Sequence, residues 1–114
     1  MLTIQYLREF GADVETGLSR CVNNEALYLR LVKMVPSLDG FAKLEQAIEA
    51  KDYDSAFEAA HGLKGAVGNL SLTPLYNPIV SITEFLRAKT DMDYSTLVAE
   101  IMTQRGILEV ICKD

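Results

Sequence analysis

The residues best suited to chemistry lie together in residues 54–70, DSAFEAAHGLKGAVGNL. This stretch holds the chain's only histidine, His61, with Lys64 one helical turn later and three of the seven glycines, Gly62, Gly65 and Gly68. Imidazole, with an ordinary pKa of about 6.5, is largely neutral at cytoplasmic pH and offers a nitrogen lone pair. An exposed histidine is therefore a ready nucleophile. Ala56, Ala60, Leu63, Val67 and Leu70 recur at the three-four spacing of one helix face. Wound at about 100° per residue, His61 falls roughly 140° from the middle of that stripe, with Lys64, Gly65 and Gly68 within about 60° of it. The spacing predicts an outward histidine beside a lysine, on a helix surface stripped of side-chain bulk.

Each glycine inside a helix costs about 1 kcal/mol relative to alanine. Two physical reasons offset that cost: close approach of another body to the backbone, or tight packing against a neighbouring helix. Gly65 and Gly68 flank the histidine and are read as clearing an approach. Gly62, about 100° round, is read as a packing glycine. Phe57, about 40° round on the near side, suits either a contact with a partner or a place in a groove between helices. Glu58 is positioned to hydrogen-bond the ring or to stay solvated.

The elements that must hold this helix can be read along the chain. Residues 2–10 place Leu2, Tyr6, Leu7 and Phe10 at helical spacing, with Thr3 as cap and Gly11 as stop. Asp13 caps a short second helix in which Val14, Leu18, Cys21 and Val22 share a face. After Asn23 and Asn24, a third helix turns Leu27, Leu31, Met34 and Val35 inward. Pro36 predicts a kink or break over residues 36–40, and the pattern resumes at Phe41, Leu44, Ala47 and Ile48.

Lys51-Asp52-Tyr53-Asp54 is a polar connector offering a cap to the histidine helix. Beyond Leu70, Pro74 suits a first helical position, while Asn77-Pro78 offers a later start. Ile79, Ile82, Phe85 and Leu86 form an inward face, and that helix ends near Lys89-Thr90. Asp91 or Asp93 caps a last helix with Leu97, Ile101, Leu108 and Ile111 inward and Gly106 as its weak point. No strand-like alternation persists and no repeat occurs. The expected fold is all-α: an antiparallel four-helix bundle with one or two additional short N-terminal helices.

Bulk properties narrow the function. A chain of 114 residues suits one domain over residues 1–114, and 49% hydrophobic content excludes disorder. Sixteen acidic against eleven basic residues, net −5, disfavour nucleic acid and anionic membrane as partners. The N-terminus lacks the pattern of a signal peptide. The longest uncharged run, residues 65–83, is interrupted by Asn69, Pro74, Asn77 and Pro78 and is too polar to span a bilayer. A cytoplasmic protein is expected. Cys21 and Cys112 form no C-x-x-C motif and read as buried thiols.

His61-Gly62-Leu63-Lys64-Gly65, followed by Asn69-Leu70, resembles the H-x-L-K-G signature of histidine phosphotransfer (HPt) domains, the helical-bundle intermediates of two-component phosphorelays. Gly17-Leu18-Ser19-Arg20, Leu27-Tyr28-Leu29 and residues 47–54 fit the same pattern more diffusely, and Ser71 stands where the family often has glycine. The resemblance implies that His61 accepts a phosphoryl group from a receiver-domain aspartyl phosphate, through Nε2, and passes it to another receiver aspartate. It implies that Lys64 reaches the phosphate and that Gly65 lets the partner near the ring. Response-regulator receivers, and a hybrid sensor histidine kinase, are the implied partners. No cofactor is expected, the divalent metal coming from the receiver. No nucleotide-binding glycine loop occurs, so a phosphocarrier rather than an autonomous kinase is implied. Two other readings stand beside this one. A helical interaction module would leave the histidine incidental, and Glu58-Ala59-Ala60-His61 has the Glu-x-x-His spacing of di-iron bundles, which need a second such motif.

Overall fold

A computed structural model describes residues 1–113, and all regular structure among them is helical. Seven α-helices run in order: α1 (Ile4–Phe10), α2 (Val14–Arg20), α3 (Glu25–Met34), α4 (Gly40–Glu49), α5 (Tyr53–Asn69), α6 (Thr73–Arg87) and α7 (Ser95–Cys112). A 3₁₀ turn, Val35–Ser37, and an extended Leu38 separate α3 from α4, where Pro36 predicts a break. Side-chain oxygens of Thr3, Asp13, Asn24 and Asp52 accept from the first-turn amides of α1, α2, α3 and α5. Asp93 accepts from the Ser95 amide at the start of α7.

Helices α4 to α7 form the bundle. α5 packs most extensively on α4 and α6, α6 on α7, and α7 returns to α4. The short connections at 50–52 and 70–72 can only turn the chain back, so sequential neighbours lie antiparallel. The short helices α1 and α2 stand outside the bundle, and α3 leads from them into it, packing on α2 and α7. Ala56, Ala60, Leu63 and Val67 are the buried stripe of α5, matching the expected face. They meet Phe41 and Leu44 of α4 and Leu75, Ile79 and Ile82 of α6 in one continuous core.

Some expected inward residues point out. Tyr6, Met34 and Phe85 are exposed, and so is Val22, which lies beyond the end of α2 at φ 51°. Met34 and Phe85 share one cause. The inward face of α3 is set by Tyr28, Val32 and Val35, and that of α6 by Ile79, Ile82, Thr83 and Leu86. A residue six positions after the first of each set lies about 240° round the helix. Thr83 takes the buried place in α6 because its hydroxyl donates to the Ile79 carbonyl at 2.6 Å. Both of the other helix alternatives resolve the same way: α6 starts at Thr73 and runs through a buried Pro78, and α7 runs unbroken through Gly106.

The end of α5 is held by the N-terminal helices. Tyr28 Oη donates to the Leu70 carbonyl at 2.8 Å, the Asp13 amide to Ser71 O at 2.9 Å, and Arg20 Nη1 to Gly68 O at 2.6 Å. The Leu70 and Ser71 carbonyls lie past the end of α5, where partners must come from outside the helix, whereas Gly68 O also accepts from the Ser71 amide at 3.1 Å. Ser71 turns the chain in the left-handed region, φ 55°, where glycine is easiest. The turn forms with serine nonetheless, tied to Asp13.

Candidate functional site

His61 stands in the middle of α5, on the side away from the buried stripe, and is exposed. It lies on the wall of an open hollow of about 570 Å³ between α2, α5 and α6, lined also by Arg20, Lys64, Gly65, Asn69 and Tyr76. Among the described residues none hydrogen-bonds the imidazole. Its one ring contact is Phe57, a turn earlier, with centroids 5.6 Å apart and planes 25° apart. Phe57 is half-buried and carries the Arg87 guanidinium 5.2 Å over its ring. It therefore sits in the groove between α6 and the histidine, one of the two places its position suited.

Lys64 lines the same hollow, and its ammonium pairs with Glu84 Oε1 of α6 at 3.7 Å. Glu84 Oε2 in turn lies 3.5 Å from Arg87 Nε. The hollow's far wall is α2, where Asp13 holds its carboxyl below the ordinary carboxylate range. Hydrogen bonds from the Thr16 hydroxyl and amide are the main cause, with the Arg20 charge adding to it.

The glycines divide differently from the sequence expectation. A Cβ added at Gly65 would meet nothing within 4 Å, so the backbone beside the histidine is open. Gly68, expected to clear an approach, is instead a packing glycine: its Cβ would lie 2.8 Å from Tyr76 Cε1. Gly62, expected to pack, is exposed and its Cβ would meet nothing within 4 Å. The close approach of α4 to α5 falls on Gly40, whose Cβ would lie 3.0 Å from the Leu63 side chain. Helical winding fixes the direction of a residue but not which neighbour lies there.

Glu58 and Gly62 border a separate hollow of about 740 Å³ between α4 and α5, away from that of His61. Among the described residues no group of three or more His, Cys, Asp or Glu is placed to hold a metal ion. His61 faces out of the bundle, whereas the Glu-x-x-His arrangement of di-iron proteins projects inward.

Sequence reasoning gave no role to Arg20, Glu84 or Arg87. Arg20 stands in a segment noted only for its resemblance, and Glu84 and Arg87 lie on an exposed face of α6. No spacing within α6 reports that this face abuts Lys64 and Phe57, so the only available signal was their charge.

A protein-family model, the Hpt domain, matches residues 37–107, from the end of the 3₁₀ turn through most of α7. The match covers more than half of the chain, and the protein belongs to the Hpt domain family. No curated protein and no solved structure matched the chain. Hpt domains act in histidine phosphotransfer within phosphorelays, interact with the receiver domains of two-component systems, and are phosphocarriers rather than autonomous kinases. Helices α1, α2 and α3 lie before the matched residues. Among the described residues no helix is long and apolar enough to cross a membrane.

Proposed function

We propose that His61 is the phosphoacceptor of a phosphorelay intermediate, taking a phosphoryl group from the aspartyl phosphate of one receiver domain and giving it to the aspartate of another. The observation that carries this reading is the open position of His61 on α5, with Lys64 on the same hollow and bare backbone at Gly65. A lone pair of the neutral imidazole, at Nε2, attacks phosphorus in line with the acyl oxygen. The N–P bond forms as the P–O bond breaks, and the electron pair leaves with the aspartate carboxylate. The reverse transfer uses the same atoms.

Such a transition state needs placement and charge stabilisation more than covalent help. Lys64 supplies a positive charge to the equatorial oxygens, and Gly65 lets the receiver bring its phosphoryl group to bonding distance. Phe57 gives the imidazole an apolar wall and the partner an apolar contact. No cofactor is assigned to this chain, and the divalent metal is the receiver's.

The test is incubation with purified receiver domains loaded from a small-molecule phosphodonor. Wild type takes label in an acid-labile, alkali-stable linkage, and His61→Gln takes none. Absence of label in wild type with every receiver of the host, or full labelling of His61→Gln, overturns the reading.

A further inference from the structure

One carboxylate ties together the cations that bracket the histidine. Glu84 Oε1 faces the Lys64 ammonium at 3.7 Å and Glu84 Oε2 faces Arg87 Nε at 3.5 Å. Arg87 in turn lies over Phe57, which stacks against His61. Lys64 is thus not waiting free for an anion; it already has one. The Lys64 side chain is 30% exposed and that of Glu84 54%, so the pair sits in water at the protein surface. Solvent screening and the entropy of holding two long side chains leave exposed pairs of this kind with little net stabilisation. That is too little for the pair to be a structural support, and small enough for Lys64 to change partners.

A phosphoryl group on His61 is the stronger competitor. It brings about −1.5 to −2 charges and three acceptor oxygens, against a single charge on the carboxylate. When it arrives, Lys64 moves from Glu84 to phosphate, and Glu84, left with Arg87 alone, stands as a negative charge beside a second one. Both effects weaken the hold of the site on phosphate.

We infer that Glu84 is a positioning residue that sets the phosphoryl-transfer equilibrium, holding Lys64 at rest and competing with the phosphoryl group for it. The consequence is a phosphohistidine kept transferable: the group returns to a receiver aspartate more readily than it would from a site with Lys64 unopposed. This inference rests on His61 being the phosphoacceptor.

The experiment is a double-mutant cycle on the transfer equilibrium. The phosphodonor is the receiver domain that labels wild type fastest, loaded with acetyl phosphate. Wild type, Glu84→Gln, Lys64→Ala and the double variant are compared, with helicity and melting temperature recorded for each. Glu84→Gln is expected to shift the equilibrium toward phosphohistidine by about two- to fivefold, the scale of a surface ion pair, with melting unchanged. Lys64→Ala shifts it the other way, and adding Glu84→Gln to Lys64→Ala gives less than half of the shift seen in wild type. No shift with Glu84→Gln overturns the inference while leaving the phosphorelay reading intact. An equal shift with and without Lys64 also overturns it, because Glu84 would then act as a bare charge and not through the lysine. A wild type that takes no label removes both.

Discussion

Gly65 and Gly68 stand three residues apart beside the same histidine, yet the space their missing Cβ atoms leave serves different ends. At Gly65 the space is open, and at Gly68 it is filled by the Tyr76 ring. A leucine at each position therefore separates docking from packing. Gly65→Leu is expected to keep the melting temperature at or above wild type, since leucine is the better helix former by roughly 0.5–1 kcal/mol. Its phosphotransfer should slow by about tenfold or more, because the added side chain blocks a near-attack approach. Gly68→Leu is expected to lower stability by about 1–3 kcal/mol through overpacking against Tyr76. Thermal melts and transfer rates on the two variants check both statements.

At the scale of the element, α5 is a helix whose two ends are secured by different means. Its start depends on Asp52, whose carboxylate accepts from the Ser55 hydroxyl at 2.7 Å and from the Ser55 amide at 3.2 Å. These hydrogen bonds, the hydroxyl first and the amide second, hold the Asp52 carboxyl below its ordinary pKa. The linkage sign follows: a lowered folded-state pKa stabilises the fold above the ordinary carboxylate value, and that contribution is lost as pH falls through the lowered one. Asp13 and Asp93 behave alike at α2 and α7. Asp52→Asn, which keeps a capping oxygen, is expected to melt close to wild type at neutral pH. Between neutral and strongly acidic pH it should lose less stability than wild type, as followed by circular dichroism across that range.

At the scale of the whole molecule, Tyr28 joins the N-terminal helices to the bundle at the end of the histidine helix. Its ring is buried against Gly17, where a Cβ would lie 2.6 Å from Cε1, and its hydroxyl donates to the Leu70 carbonyl. Tyr28→Phe leaves that carbonyl without its partner and is expected to cost about 1–3 kcal/mol in denaturant melts. Burial pushes the Tyr28 hydroxyl up to about 12. A raised folded-state pKa means its contribution is complete below the ordinary value of about 10 and is lost as pH rises through about 12. The phenylalanine variant should therefore show a shallower alkaline loss of stability than wild type, measured over that window.

What the sequence determined by itself was the buried face of α5 and the chemistry of one residue cluster. The stripe Ala56, Ala60, Leu63 and Val67 is buried where the winding puts it, and His61 points the other way. The caps at Thr3 and Asp13 were equally legible, because a cap acts on amides two or three residues on in the same segment. For α5 the sequence offered the connector 51–54, and the structure chose Asp52 within it. The tertiary structure alone decided which glycine packs, since Gly62, Gly65 and Gly68 differ only in what another helix brings opposite them. It also decided that Glu84 and Arg87 of α6 stand at Lys64 and Phe57 of α5. Periodicity is a property of one helix and fixes directions about its own axis. Partnership between helices depends on their relative rotation and shift, which are set by packing across the whole bundle.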